Sequence, residues 1–277
     1  MTGFENAVAL IDHADGLLIT AGAGMGIDSG LPDFRGVTPG NEGFWNCYPA
    51  LGRAKIQFEA IANPDAFHAR PELAWGFYGH RLNLYRNTVP HAGFELLRRM
   101  GAQMTRGCFV LTSNVDGQFQ KAGFSEEQIC EVHGSIHHLQ CMEPCHRLSW
   151  AADEFVPEVD EESCTLQNEP PWCPRCREMA RPNVLMFGDW SWVPMRSELQ
   201  QQRLQAWLDQ CRRPVIIEIG AGTAIPTLRR FADRMGAPLI RINPNPEEAG
   251  VALARDVSIP LGALAGLRGI AETMDVR

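Results

Sequence analysis

No apolar run in this 277-residue chain approaches the roughly 20 residues that span a bilayer, so no membrane-crossing helix and no membrane partner are expected. The opening stretch, Met1-Thr-Gly-Phe-Glu-Asn, lacks a basic segment followed by an apolar one, so no export signal is expected either. Basic charge is in the minority: 25 Lys+Arg against 33 Asp+Glu leave a formal net charge of −8. That balance argues against a nucleic-acid-binding surface. Internal repeats and low-complexity tracts are absent. Without an export signal, nine cysteines, four of them in two tight pairs, point to metal binding and away from a disulfide framework. The expected compartment is therefore the cytoplasm. What is present is an ordinary globular composition, 45% hydrophobic and 21% charged, long enough for one large domain or a large and a small one.

Four segments read as strands covered on both faces: 16–21, Cys108-Phe109-Val110-Leu111-Thr112, Pro214-Val215-Ile216-Ile217-Glu218-Ile219-Gly220 and Pro238-Leu239-Ile240-Arg241-Ile242-Asn243. Each is a short apolar run ending in small or polar residues. Helical stretches alternate with them at 91–101, 198–211, 225–236 and 261–273. The alternation predicts an α/β fold built on a doubly wound, mostly parallel Rossmann-like sheet, with ligands at the C-terminal ends of its strands. Two segments interrupt the pattern. Residues 37–90 are rich in Trp, Phe, Tyr and His and read as largely helical, while 137–182 carry the paired cysteines, many prolines and the acidic run Asp160-Glu161-Glu162. They are expected to form a smaller helical and zinc-binding module inserted twice, leaving 1–36, 91–136 and 183–277 to the Rossmann-like sheet domain.

The chemistry-bearing residues fall at four places. Residues 20–36, Thr-Ala-Gly-Ala-Gly-Met-Gly-Ile-Asp-Ser-Gly-Leu-Pro-Asp-Phe-Arg-Gly, follow the first strand. Glycines 22, 24 and 26 allow a tight turn and a close backbone approach, and N–H groups exposed in such a turn suit a pyrophosphate. The turn then runs into a Pro/Gly-bounded loop carrying Asp33, Phe34 and Arg35, suited to closing over a ligand. Cys141-x₃-Cys145 and Cys173-x₂-Cys176, separated by 27 residues, form two knuckles able to bring four thiolates around a tetrahedral zinc. Four protein ligands leave no place for water, so such a metal would be structural and would supply folding energy to a segment poor in apolar residues. Cys164 and His146 lie close enough in sequence to stand in as ligands. Thr112-Ser113-Asn114-Val115-Asp116-Gly117 closes the second strand, where Asn114 and Asp116 can point at one ligand. Finally, His133 in Glu131-Val132-His133-Gly134-Ser135 has the side chain best suited to accept a proton at neutral pH.

Taken together, Gly-Ala-Gly, Ser-Gly and Pro-Asp-Phe-Arg-Gly in this order strongly resemble the signature of the sirtuins, the NAD-dependent protein deacylases. The Asn114-Val-Asp116 segment with Ala122-Gly123 after it, the His133-Gly134 pair and the cysteine module resemble the family's other motifs. The resemblance implies that Ala21, Gly22 and Gly24 approach the pyrophosphate, that Asp33 and Phe34 belong to the nicotinamide pocket, and that Arg35 orders the loop. It assigns Asn114 to the ribose and an attacking water, Asp116 to the nicotinamide amide, and His133 to general-base work on a ribose hydroxyl. Ser113 stands where the family places a Gln on the nicotinamide ribose, Met25-Gly26 stand for Ile-Ser, and Phe119 takes a place usually polar. Arg181-Pro-Asn-Val-Leu-Met-Phe-Gly-Asp189 resembles the segment whose backbone pairs with a substrate peptide. Gly222 and Thr223, in a Gly-Thr-Ser-like turn that ends in Ala224, and Asn243 would hold the rest of the cofactor.

The helix expected around Tyr78 and Arg81 places the two side chains on one face, and a phenol beside a guanidinium can receive a carboxylate. Sirtuins that remove succinyl, malonyl or glutaryl groups resemble this Tyr-x-x-Arg pattern, with an Ala twelve residues before the Tyr to widen the pocket; Ala66 has that spacing. The activity implied is NAD-dependent deacylation of protein lysines, releasing nicotinamide and O-acyl-ADP-ribose, with acylated proteins as substrates and zinc as a structural metal. The alternatives are an NAD-consuming ADP-ribosyltransferase or NAD glycohydrolase, motivated by Ser113, Phe119 and Ala224, and a non-catalytic NAD-binding module.

Overall fold

The computed structural model describes residues 2–32 and 42–275. Its centre is β1, Gly16–Ala21, with every residue buried. β1 lies between β2, Cys108–Thr112, in the register Leu17↔Cys108, and a strand at Pro214–Ile219 in the register Gly16↔Pro214. The remaining strands in chain order are β3 (Ile129–Glu131), β4 (Gly134–Cys141), β5 (Trp150–Ala151), β6 (Val159–Asp160), β7 (Thr165–Leu166) and β8 (Ala180–Val184). The Pro214–Ile219 strand is β9, followed by β10 (Leu239–Ile242) and β11 (Val257–Ile259). The six-stranded sheet runs β11-β10-β9-β1-β2-β3 with parallel pairing at each step, as the strand–helix alternation predicted.

The two-residue period of a strand explains why these runs are apolar throughout. Leu17, Ile19 and Ala21 join Val215, Ile217 and Ile219 in one core, against the helices Gly3–Asp12, Ala92–Ala102 and Ala263–Asp275. Leu18, Phe109, Leu111 and Ile216 face the other way, into a second core with the helices Met195–Leu208 and Thr227–Met235. The Gly3–Asp12 helix starts at a capping box, with Thr2 and Glu5 each accepting the other's backbone N–H.

The small module has its own apolar core, built around the helix Pro71–Asn87. Phe44, Tyr48, Phe58 and Phe77 meet there with ring centroids 4.9–6.3 Å apart, mostly edge-to-face. Trp75 donates to the Ala180 carbonyl at 3.2 Å, tying the helix to β8. A Cβ on Gly76 would stand 2.1 Å from the Cys164 carbonyl oxygen, so glycine lets the helix lie against the β6–β7 hairpin. β4 pairs antiparallel with both β5 and β8. The domain limits expected at 136/137 and 182/183 fall inside β4 and β8, which pair with each other in a separate three-stranded sheet. Among the described residues, no helix is long and apolar enough to cross a membrane.

Candidate active site

A cavity of about 760 Å³ opens where β1, β2, β3 and β9 end and the helix Pro71–Asn87 faces them. The place is the one a parallel sheet favours, and the size falls within the roughly 300–1,000 Å³ typical of small-molecule sites. β1 contributes Gly22 and Ala23, β2 contributes Ser113, Asn114 and Asp116, and β3 leads to His133. β9 leads to Ala221, Gly222 and Ala224.

The glycine turn after β1 works differently from the expectation. It passes into two short 3₁₀ turns, Ala23–Met25 and Ile27–Ser29. The N–H groups of Gly22 and Gly24 are spent on the carbonyls of Ile219 and Gly220, at 2.9 and 3.1 Å. A Cβ on Gly22 would lie 2.6 Å from the Gly220 oxygen, and one on Gly24 would lie 2.6 Å from Gly220 Cα. Gly220 itself sits at φ +57°. These glycines therefore interlock two turns, and of the three residues expected at a pyrophosphate only Gly22 lines the cavity; Ala21 is fully buried beneath it. Asp33, Phe34 and Arg35 lie outside the described residues.

Asn114 is oriented by the backbone beneath it. Its Nδ2 donates to the Gly22 carbonyl at 3.0 Å, while its N–H goes to Thr112 Oγ1 at 3.0 Å. With Nδ2 engaged, Oδ1 is the atom it can offer to a ligand. Asp116 is buried, and burial pushes its carboxyl up to about 6, with the Gln118 N–H and Arg81 opposing and Glu131 adding to the rise. His137 Nε2 lies 3.0 Å from the Asp116 carbonyl and holds this turn from β4. Burial moves His133 below the usual imidazole value, against the pull of a hydrogen bond to the Ser113 backbone. A neutral imidazole carries one donor and one acceptor nitrogen, so His133 can offer an acceptor to the cavity. Gly134 makes this possible: its φ is +76°, and a Cβ there would meet the Asn183 oxygen at 2.0 Å.

Tyr78 and Arg81 both line the cavity, as expected from one helix face. Arg81 is buried, and its guanidinium lies over the Phe77, Tyr78 and Tyr85 rings at 5.3, 5.7 and 5.4 Å. Among the described residues it donates to Tyr85 Oη, from Nε at 3.0 Å and from Nη2 at 2.7 Å. Ala66 does not line this cavity. It belongs to a separate groove with Lys55, Ile56 and Arg70, because the short helix Pro64–Ala69 turns it away; Ala62 is an alanine in the cavity wall. Leu185, Met186 and Phe187 form the opposite wall, and their N–H groups already go to the His133 carbonyl, Asp189 and the Ala62 carbonyl. A substrate backbone pairing here would donate to carbonyls.

Two residues expected at the cofactor sit elsewhere, and so does Phe119. Thr223 and Asn243 are outside the cavity wall and share Glu248, whose Oε1 accepts from Thr223 and whose Oε2 accepts from Asn243 Nδ2 at 3.1 Å. Phe119 is buried against Phe94 and Phe124, at 4.9 and 5.3 Å, and does not reach the cavity. Its apolar character is a packing property.

The four paired cysteines do converge: the sulfurs of Cys141, Cys145, Cys173 and Cys176 all lie within 4.8 Å of one another. The pairs Cys141–Cys176 and Cys145–Cys173 stand 3.4 and 3.7 Å apart. A tetrahedron with Zn–S bonds of about 2.3 Å has edges near 3.8 Å, so the donor set fits zinc. Cys164 is excluded, since it packs in the small module's apolar core. His146 Nε2 reaches only Cys173, at 3.7 Å, and stands outside the four. All nine cysteines are free of disulfides.

Tyr85, Ala62 and Glu248 escape a reading of the sequence. For Tyr85 a signal existed, since it stands four residues after Arg81 and so one helical turn away.

The Sir2 family profile matches residues 22–221. The NAD-dependent protein deacylase of Aquifex aeolicus (strain VF5) is 29% identical over 257 residues, covering 92% of this chain and 93% of the relative. NAD-dependent protein deacylase 2 of Pyrobaculum aerophilum is 30% identical over 246 residues, covering 87% and 84%. Among solved structures, a Sir2 homolog–NAD complex superposes with a TM-score of 0.71 at 23% identity, covering 98% of this chain and 94% of that one. A profile match over more than half the chain, on a parallel sheet with a four-cysteine module inserted, leads to one conclusion: this protein belongs to the Sir2 family.

Proposed function

We propose that this chain removes acyl groups from lysine side chains of protein substrates, consuming NAD as co-substrate. The observation that carries the reading is a single cavity in which Asn114, Asp116 and His133 from the sheet face Tyr78 and Arg81 from the small module. The deacylase names of the relatives support it. NAD, when bound, supplies a ribose carbon that becomes electrophilic as nicotinamide departs. Gly22 and Gly222 give it backbone surface without side chains. Asp116, mostly ionised at pH 7 with its pKa near 6, accepts an amide N–H. Asn114 Oδ1 accepts from a hydroxyl or a water. His133, whose burial favours the neutral imidazole, takes a hydroxyl proton on its acceptor nitrogen. Cys141, Cys145, Cys173 and Cys176 would hold a structural zinc, and four thiolate ligands would leave it no role in the chemistry.

Arg81 and Tyr78 favour an acyl chain that ends in a carboxylate, such as succinyl or malonyl. The test is incubation with NAD and acetyl-, pentanoyl- and succinyl-lysine peptides, read by mass spectrometry. NAD-dependent loss of acyl groups is expected, falling about 10²–10⁴-fold in His133→Ala. Absence of turnover with every acyl type refutes the proposal, and nicotinamide release at full rate without any acyl-lysine favours the glycohydrolase or transferase reading.

A further inference from the structure

The chain contains three tyrosines, and the Arg81 guanidinium lies over the rings of two of them, Tyr78 and Tyr85. Tyr48 spends its hydroxyl on His80 Nδ1 at 3.0 Å. Tyr85 is different. It lines the cavity beside Tyr78 and Arg81, and its backbone is pinned by Gln118 Nε2 donating to the Tyr85 carbonyl at 3.1 Å. Its Oη accepts both the Nε and the Nη2 protons of Arg81. A phenol oxygen that accepts two N–H groups still has its own O–H to give. Among the described residues that proton has no hydrogen-bond acceptor, and Asp116 is felt by the phenol only as a nearby charge. Two N–H groups of one guanidinium cation on the same oxygen polarise the phenol and make its O–H a stronger donor.

We infer that Tyr85 is a direct ligand for the acyl carboxylate, so that the receptor comprises the Arg81 guanidinium and two phenol O–H groups, from Tyr78 and Tyr85. This deepens the anionic-acyl reading above and rests on it. The Nε–Nη2 edge of Arg81 is turned to Tyr85, so the hydroxyl that orients the guanidinium also meets the anion it attracts. A phenylalanine at this position would keep the ring over the guanidinium and lose both functions.

The experiment compares succinyl-lysine and pentanoyl-lysine peptides, of equal chain length and differing in charge, on full-length zinc-loaded protein. In Tyr85→Phe the succinyl:pentanoyl ratio of kcat/KM should fall about tenfold, with the change in KM, as expected for losing a hydrogen bond to a charged group. Tyr85→His, which keeps a ring and a donor, should retain more of the ratio than Tyr85→Phe. A ratio unchanged in Tyr85→Phe, or equal losses on both peptides, overturns the role of Tyr85. Arg81→Met is the separate control: if it too leaves the ratio unchanged, the anionic-acyl reading itself fails.

Discussion

Asp189→Ala should be among the most damaging single substitutions outside the catalytic groups. Arg181 and Asp189 form an ion pair at 2.8 Å with both side chains fully buried. The Asp189 carboxylate also accepts the N–H groups of Met186 and Ser191, at 3.3 and 3.1 Å. It therefore neutralises a guanidinium in the interior and pins the segment whose Leu185–Phe187 stretch walls the cavity. Removing one partner of a buried pair leaves the other charge uncompensated, which costs about 3–5 kcal/mol. For a chain of this size each kcal/mol shifts the melting temperature by about 2–4 °C, so a fall of roughly 6–20 °C is expected. Differential scanning calorimetry on zinc-loaded protein measures it, and peptide KM reports the displaced wall. Arg181→Met combined with Asp189→Ala should recover part of the loss, because no isolated charge then remains buried. A fall below about 3 °C, corresponding to roughly 1 kcal/mol, refutes the reasoning; so does a double variant no better than Asp189→Ala.

Asp116→Asn should stabilise the free protein at pH 7.5 while abolishing turnover. The carboxyl titrates near 3.8 unfolded and near 6 folded, so its burial penalty is absent below about pH 4, grows as the pH rises to 6 and stays constant above. A shift of about two units corresponds to roughly 3 kcal/mol, and the gain in melting temperature should vanish at pH 4; a pH-independent gain would contradict the cause assigned. Cys145→Ser should release zinc on a metal-sensitive dye and loosen the cysteine module, seen as protease cleavage within 142–179 that wild-type protein resists. Intact zinc content in that variant would show that three thiolates suffice.

How much of this was legible in advance depended on the range of the interactions involved. β1, β2, β9 and β10 were visible because strands buried on both faces need apolar side chains in both directions. β3 and β11 were not, since three residues carry no period. The zinc ligands were visible because knuckle geometry is local, yet setting aside Cys164 required its burial in a core assembled from distant segments. Ala66 and Ala62 are equally small and four residues apart, and they sit on different short helices, Ala62 capping Phe58–Ile61 at the cavity and Ala66 within Pro64–Ala69 on a separate groove.

Residue type at short spacing was enough to mark the family, the parallel α/β sheet and the four converging cysteines, and to single out Asn114, Asp116 and His133 as the proposed catalytic groups. That the first glycines interlock with Gly220, that Phe119 is core, and that Tyr85 holds Arg81 at the cavity emerged only in the folded chain. Those outcomes depend on side-chain direction and on which distant backbone approaches, and neither quantity is encoded in the spacing of residues along one segment.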